Sequence, residues 1–81
     1  MLLSDHPDLV PLHDQIRRLW RREPAVEGPE RTAVLLRLHE IKNRLHDLSV
    51  QWRAGLLDDD SIRTKADHAA GELRRLRVHW A

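Results

Sequence analysis

The side chains with the clearest capacity for chemistry are the histidines of the stretch RLHEIKNRLHDL. The pattern Arg-Leu-His-acid occurs at 37–40 and again at 44–47, so His39 and His46 are seven residues apart. In a helix they lie in one column, with α-carbons about 10.5 Å apart along the axis. This separation is too long for two imidazoles alone to hold one tetrahedral metal, so a metal site needs ligands from another helix.

Antiparallel packing of three helices supplies such ligands. It places His13 level with His39 and His68 level with His46. A metal or haem site formed by histidines of different helices is therefore one hypothesis, in which His13 and His39 cluster with Asp14 or Glu40, although the chain has no Glu-x-x-His element. One alternative is a pH-sensitive surface, because six histidines titrate near neutrality. Another is a solvated surface on which Glu40 and Arg44 form an ordinary i, i+4 ion pair.

Other catalytic chemistry has little basis in the sequence. The serines Ser4, Ser49 and Ser61 have no triad setting, and there is no glycine-rich phosphate loop, CxxC or HExxH. We therefore predict that the chain is not an enzyme and that it binds no cofactor. The alternative is an active site between subunits of an oligomer, with arginines binding an anionic substrate.

The helices that position these residues are indicated by apolar stripes with steps of three and four residues. The stripes occupy 9–19, 34–52 and 62–80. Asp8 is a candidate N-cap, Pro24 ends the first helix, Pro29 opens the second and Gly55 ends it. A cap and an acidic first turn for the third helix come from Asp58, Asp59, Asp60 and Ser61. We predict helices at about 8–22, 29–54 and 59–80.

Short linkers make neighbouring helices antiparallel, so the fold class is an all-α antiparallel three-helix bundle. Residues 1–81 form a single helical domain, in which helix 1 either folds back onto the other two or reaches across to a second copy. The segment WRAGLLDDDSIRTKADHAAGEL is similar to the helix–turn–helix of the short C-terminal oligomerisation domains of the SHOCT type. Ser61 and Ala66 stand where that family carries glutamate and lysine, and turn chemistry alone also accounts for the likeness.

The composition excludes several classes of protein. The chain has 81 residues and no cysteine, so it has neither disulfides nor thiolate metal sites. Asp5 and Pro7 interrupt the opening MLLSDHPDL, which is not a signal peptide, and no apolar run approaches the ~18 residues of a membrane span. We expect a cytoplasmic protein without membrane contact.

A cluster of arginines forms a second candidate site, for binding an anionic partner. Arginines outnumber lysines twelve to two, although the net charge is only +1. The predicted topology collects arginines at one end of the bundle and every aspartate towards the other. The candidate residues for an anionic partner are Arg17, Arg18, Arg21, Arg22, Arg74, Arg75 and Arg77. RNA or DNA is one such partner, with Trp20 stacking on a base, but the helix macrodipole favours the same charge distribution, and tryptophans at helix ends commonly plug a bundle.

Some apolar residues lie outside the stripes. Leu35, Leu36 and Val50 on helix 2 and Val78 on helix 3 form a second, weaker set, to which Val10, Leu2, Leu3, Leu56 and Leu57 add. A second set in so small a domain favours self-association or a partner helix over a monomer in which Leu35 and Leu36 cover helix 1. The sequence therefore predicts a non-enzymatic helical module that binds protein and self-associates, with nucleic-acid binding as the alternative.

Overall fold

The computed structural model describes residues 5–80, which form three α-helices. They are α1 (Val10–Trp20), α2 (Pro29–Arg53) and α3 (Asp59–Arg77), and α3 continues into a 3-10 turn, Val78–Trp80. Residues 5–80 contain no strand, so the predicted all-α fold with three helices is confirmed. Leu2 and Leu3 lie outside the described residues. No described helix is long and apolar enough to cross a membrane.

The core consists of the predicted stripes. Every stripe residue is buried except Trp52, which is half-buried. Leu38, Ile41 and Leu45 from α2 pack with Ile62 and Leu73 from α3 at its centre, where almost no side-chain surface remains exposed. A narrow stripe of this kind is typical of helices that pack side by side at shallow angles.

The helix ends follow the sequence with one exception. Gly28 has a φ of +67° immediately before Pro29, and Gly55 has a φ of +77° after α2, both conformations that glycine adopts without strain. The Asp58 carboxylate accepts the Ser61 N–H at 2.8 Å and caps α3. The cap predicted at Asp8 is not formed: α1 begins at Val10, because the Asp8 carboxylate lies instead 3.6 Å from Arg63.

Trp80 joins the end of α3 to the end of α1 through hydrogen bonds. Its indole Nε1 donates to the Leu19 carbonyl at 3.0 Å and to the Arg22 carbonyl at 3.2 Å. Arg22 returns a hydrogen bond from Nη2 to the Trp80 carbonyl at 3.1 Å. Carbonyls at the end of a helix have no partner within it, and Trp80 adds a hydrogen bond to the Leu19 carbonyl, which also accepts the Arg22 N–H at 3.1 Å.

Candidate functional site

An open basic groove lies along the seam between α2 and α3, with a volume of about 630 Å³. We call it the basic groove, and its charged and titratable lining residues are Arg37, Arg44, Lys65, His68, Glu72 and Arg75. Each of them immediately precedes a core residue of its helix. In an antiparallel pair the same flanks of two stripes face each other, and this geometry brings the six side chains together.

Glu72 is the buried carboxylate of this groove, with 7% of its side chain exposed. It accepts a hydrogen bond from Arg44, and its carboxylate lies 3.7 Å from Arg37 Nη2 and 3.4 Å from His68 Nε2. A buried carboxylate needs such partners, because burial without them would favour its neutral form. The expected Glu40–Arg44 pair is therefore replaced by a contact between helices.

The seven arginines predicted to bind an anionic partner, which we call the arginine pole, do not lie on one surface. A cleft of about 480 Å³, which we call the arginine cleft, lies beside Val78 and Trp80 and is lined by Arg22, Arg74 and Arg77. Arg75 instead lines the basic groove, and its guanidinium lies 3.8 Å from where a Cβ on Gly71 would be.

The remaining pole arginines lie on α1 or directly after it. Arg17 is 3.5 Å from Asp14. Arg18 and Arg21 are exposed. The structure therefore brings three of the seven predicted residues to one cleft.

The four candidate histidines do not come together. His13 Nε2 lies 3.0 Å from Asp5 Oδ2, and the His39 ring lies 6.3 Å from that of Trp20, which is two turns beyond His13 on α1. His68 contacts Glu72, and His46 is exposed. Within residues 5–80 no group of three or more histidine or acidic side chains is placed to hold a metal ion. The predicted pairing of His13 with His39 does not occur among the contacts of the described residues.

A third cluster lies at the opposite end from the arginine cleft. Ser49 Oγ is 2.7 Å from both carboxylate oxygens of Asp5, and His13 lies on the far side of the same carboxylate. Hydrolytic serines need the imidazole on the hydroxyl and the carboxylate behind it. Here the Ser49 hydroxyl donates to the Asp5 carboxylate and the His13 imidazole contacts that carboxylate, so the arrangement differs from a hydrolytic triad. The cluster joins the chain before α1 to α2.

Two large apolar side chains of α1 and α2 are exposed to solvent. Trp20 is 54% exposed, and Leu36, which lies one turn before His39 on α2, is 59% exposed. Leu35 is half-buried against the core on the same side. We call Trp20, Leu35, Leu36 and His39 the tryptophan patch. Trp20 directly follows the stripe residue Leu19, so it lies beside the core, in contrast to Trp80, which lies on its stripe.

The other predicted association residues are also exposed. Val50 and Val78 present 46% and 64% of their surface to solvent. Val50 is fourteen residues after Leu36, so the two lie about 21 Å apart along α2. Val78 lines the arginine cleft instead.

Sequence reasoning missed Arg37, Arg44, Lys65 and Glu72 as members of one site. The signal was present, because all four precede stripe residues on the two helices that were predicted to be antiparallel. Comparison with protein families, curated proteins and solved structures finds no match to this chain. The resemblance of the α2–α3 turn to the SHOCT type stays a prediction.

Proposed function

We propose that this chain is a small, non-enzymatic helical module of the cytoplasm that acts by binding protein, and that it self-associates through the tryptophan patch. The observation that carries this proposal is the exposure of Trp20, whose ring lies 6.3 Å from that of His39, together with the exposure of Leu36, three residues before His39 on α2. Three of the four patch residues have large side chains with few polar atoms. Tryptophan is among the residues that contribute most to binding free energy at protein interfaces.

A patch on two antiparallel helices suits an interface between identical copies. In a two-fold dimer the same surface contacts itself, so one indole can cover the partner's leucine and be covered in return. The half-buried Leu35 supplies a rigid base to the patch, because it already packs against the core.

The experiment is sedimentation equilibrium of the wild-type chain and two variants. Leu36→Glu places a charge in the tryptophan patch. Leu56→Glu makes the same change in the α2–α3 turn, where Leu56 is 73% exposed. We expect the wild type and Leu56→Glu to form the same oligomer at about 100 µM and Leu36→Glu to be monomeric. A wild-type chain that is monomeric at this concentration contradicts self-association.

A second candidate function is the binding of nucleic acid or another polyanion at the arginine cleft. The specific observation that favours it is the convergence of Arg22, Arg74 and Arg77 on one cleft. Phosphate contacts release counterions, so binding would weaken steeply with salt, at a slope of about 0.9 per phosphate on duplex DNA. Arg74→Gln/Arg77→Gln should reduce that slope, and binding that does not depend on salt would contradict this candidate.

A further inference from the structure

The basic groove carries more positive charge than its own chain neutralises. Arg37, Arg44, Lys65 and Arg75 line it, and Glu72 is the one carboxylate among the described lining residues. Arginine and lysine side chains are the positively charged side chains of proteins at neutral pH. Four cations close to each other repel, and an anion that enters the groove relieves this repulsion.

Glu72 holds part of this charge in place. Since it is buried and contacts both Arg37 and Arg44, it restrains two long side chains that would otherwise lose conformational entropy on binding a ligand. Both arginines remain about half exposed, with 55% of Arg37 and 43% of Arg44 accessible. Their remaining N–H donors can therefore reach an incoming oxyanion, and the planar guanidinium suits a two-point contact with carboxylate.

The spacing of the cations indicates an extended ligand. Arg37 and Arg44 are seven residues apart and span about 10.5 Å of α2, whereas Lys65 and Arg75 are ten residues apart and span about 15 Å of α3. One small anion cannot contact all four. An extended polypeptide advances about 3.3 Å per residue, so four or five residues cover the groove and place alternate side chains towards it.

We propose that the basic groove binds a short acidic segment of a partner polypeptide, with its carboxylates on Arg37, Arg44, Lys65 and Arg75. Leu48 lines the same groove, so it offers apolar contact to the segment's methylene groups. A polypeptide fits the chain better than a nucleic acid does, because a net charge of +1 gives little long-range attraction for a phosphate backbone. This inference rests on the proposed function only in making the chain a protein-binding module.

The test is fluorescence anisotropy of fluorescein-labelled hexaglutamate at low salt, with labelled hexaglutamine as the uncharged control peptide. Lys65→Gln/Arg75→Gln removes two groove cations that lie outside the Glu72 ion pairs. Arg18→Gln/Arg21→Gln removes the same charge from the end of α1. We expect the groove variant to bind hexaglutamate about tenfold more weakly than the wild type, and the α1 variant less than about threefold more weakly. Circular dichroism checks that both variants are folded.

Three results would overturn the proposal. The first is the absence of hexaglutamate binding to the wild type, or equal binding of hexaglutamine. The second is an equal loss in both variants, which would show a response to overall charge. The third is tighter, groove-dependent binding of labelled hexathymidylate, which would make the ligand a nucleic acid. Repeating the titration with Leu36→Glu separates the two surfaces, because that variant should bind hexaglutamate whether or not the wild type self-associates.

Discussion

Glu72 shows how one buried charge depends on residues from another helix. Its carboxylate is compensated by Arg37 and Arg44 from α2 and by His68 from its own helix. We expect Glu72→Gln to lower the free energy of unfolding by about 1–2 kcal/mol, because an amide loses the charge-assisted bonds while the arginines can still reach water. Urea denaturation followed by circular dichroism measures this change.

The matched control for Glu72 is Glu40→Gln, which removes the same charge from an exposed position on α2. Its effect should stay within about 0.5 kcal/mol. Equal effects of the two substitutions would show that Glu72 contributes only through net charge and that the contacts in the groove add nothing to stability.

Asp58 gives the chain a defined dependence on acid. The Ser61 backbone N–H donates to its carboxylate, and together with the Ser61 side chain it holds the pKa of Asp58 below the ordinary value of 3.8. Because the folded-state pKa is depressed, the ionised cap stabilises the fold fully above pH 3.8, and this contribution is lost as the pH falls through the lowered pKa.

The acid dependence of Asp58 is tested against Asp58→Asn, which keeps a capping side chain without the charge. The stability difference between wild type and variant should be constant above pH 3.8 and shrink below it. Other carboxylates titrate in both proteins and cancel in the difference. A difference that does not change between neutral pH and acid would show that the charge on Asp58 adds nothing to its hydrogen bond.

At the scale of elements, His6 joins the chain before α1 to the last turn of α2 and the first residue of α3. It is 6% exposed, its ring meets Trp52 edge-on at 5.0 Å, and its Nε2 lies 3.2 Å from Asp59 Oδ1. We expect His6→Ala to destabilise the fold by about 2 kcal/mol, the sum of a lost aromatic pair and a lost hydrogen bond. The exposed His46→Ala is the control, and urea denaturation should show little change for it.

The helical glycine of α3 and the glycine that ends α2 should respond oppositely to alanine. Gly71 has room for a Cβ, whose nearest neighbour would be Arg75 Nη1 at 3.8 Å, so Gly71→Ala should stabilise α3 by about 0.5–1 kcal/mol. Gly55 has a φ of +77°, so Gly55→Ala should destabilise the fold by about 1 kcal/mol. Thermal unfolding of both variants measures the contrast. A shared sign would contradict the assigned backbone conformations.

The packing of the helices against each other explains which features of the structure the sequence could predict and which it could not. The core followed from heptad spacing, because burial of a stripe depends only on the helix that carries it. The neighbour of the His39 ring depended on the tertiary packing of α1 against α2, and that neighbour is Trp20 instead of the expected His13. The basic groove needed a further step, the rule that equal flanks meet in antiparallel helices.

For the whole molecule, the two proposed surfaces lie on opposite flanks of α2. The patch residues Leu35 and His39 follow core residues and face α1, whereas Arg37 and Arg44 precede core residues and face α3. The described chain is also flat, measuring 41 × 27 × 17 Å, with a radius of gyration of 13.5 Å where a compact chain of this length has about 12 Å. An oligomer formed through the tryptophan patch therefore leaves the basic groove open.

Self-association predicts that stability depends on protein concentration. If two folded copies separate as they unfold, a tenfold rise in concentration adds about 1.4 kcal/mol per dimer, which corresponds to about 4 °C in the thermal midpoint for a chain of this size. We expect this shift for the wild type and for Leu56→Glu, measured by circular dichroism over a hundredfold range of concentration. Leu36→Glu should unfold at one midpoint throughout. A constant wild-type midpoint would mean that the chain unfolds as a monomer, so that a different protein would have to cover Trp20 and Leu36.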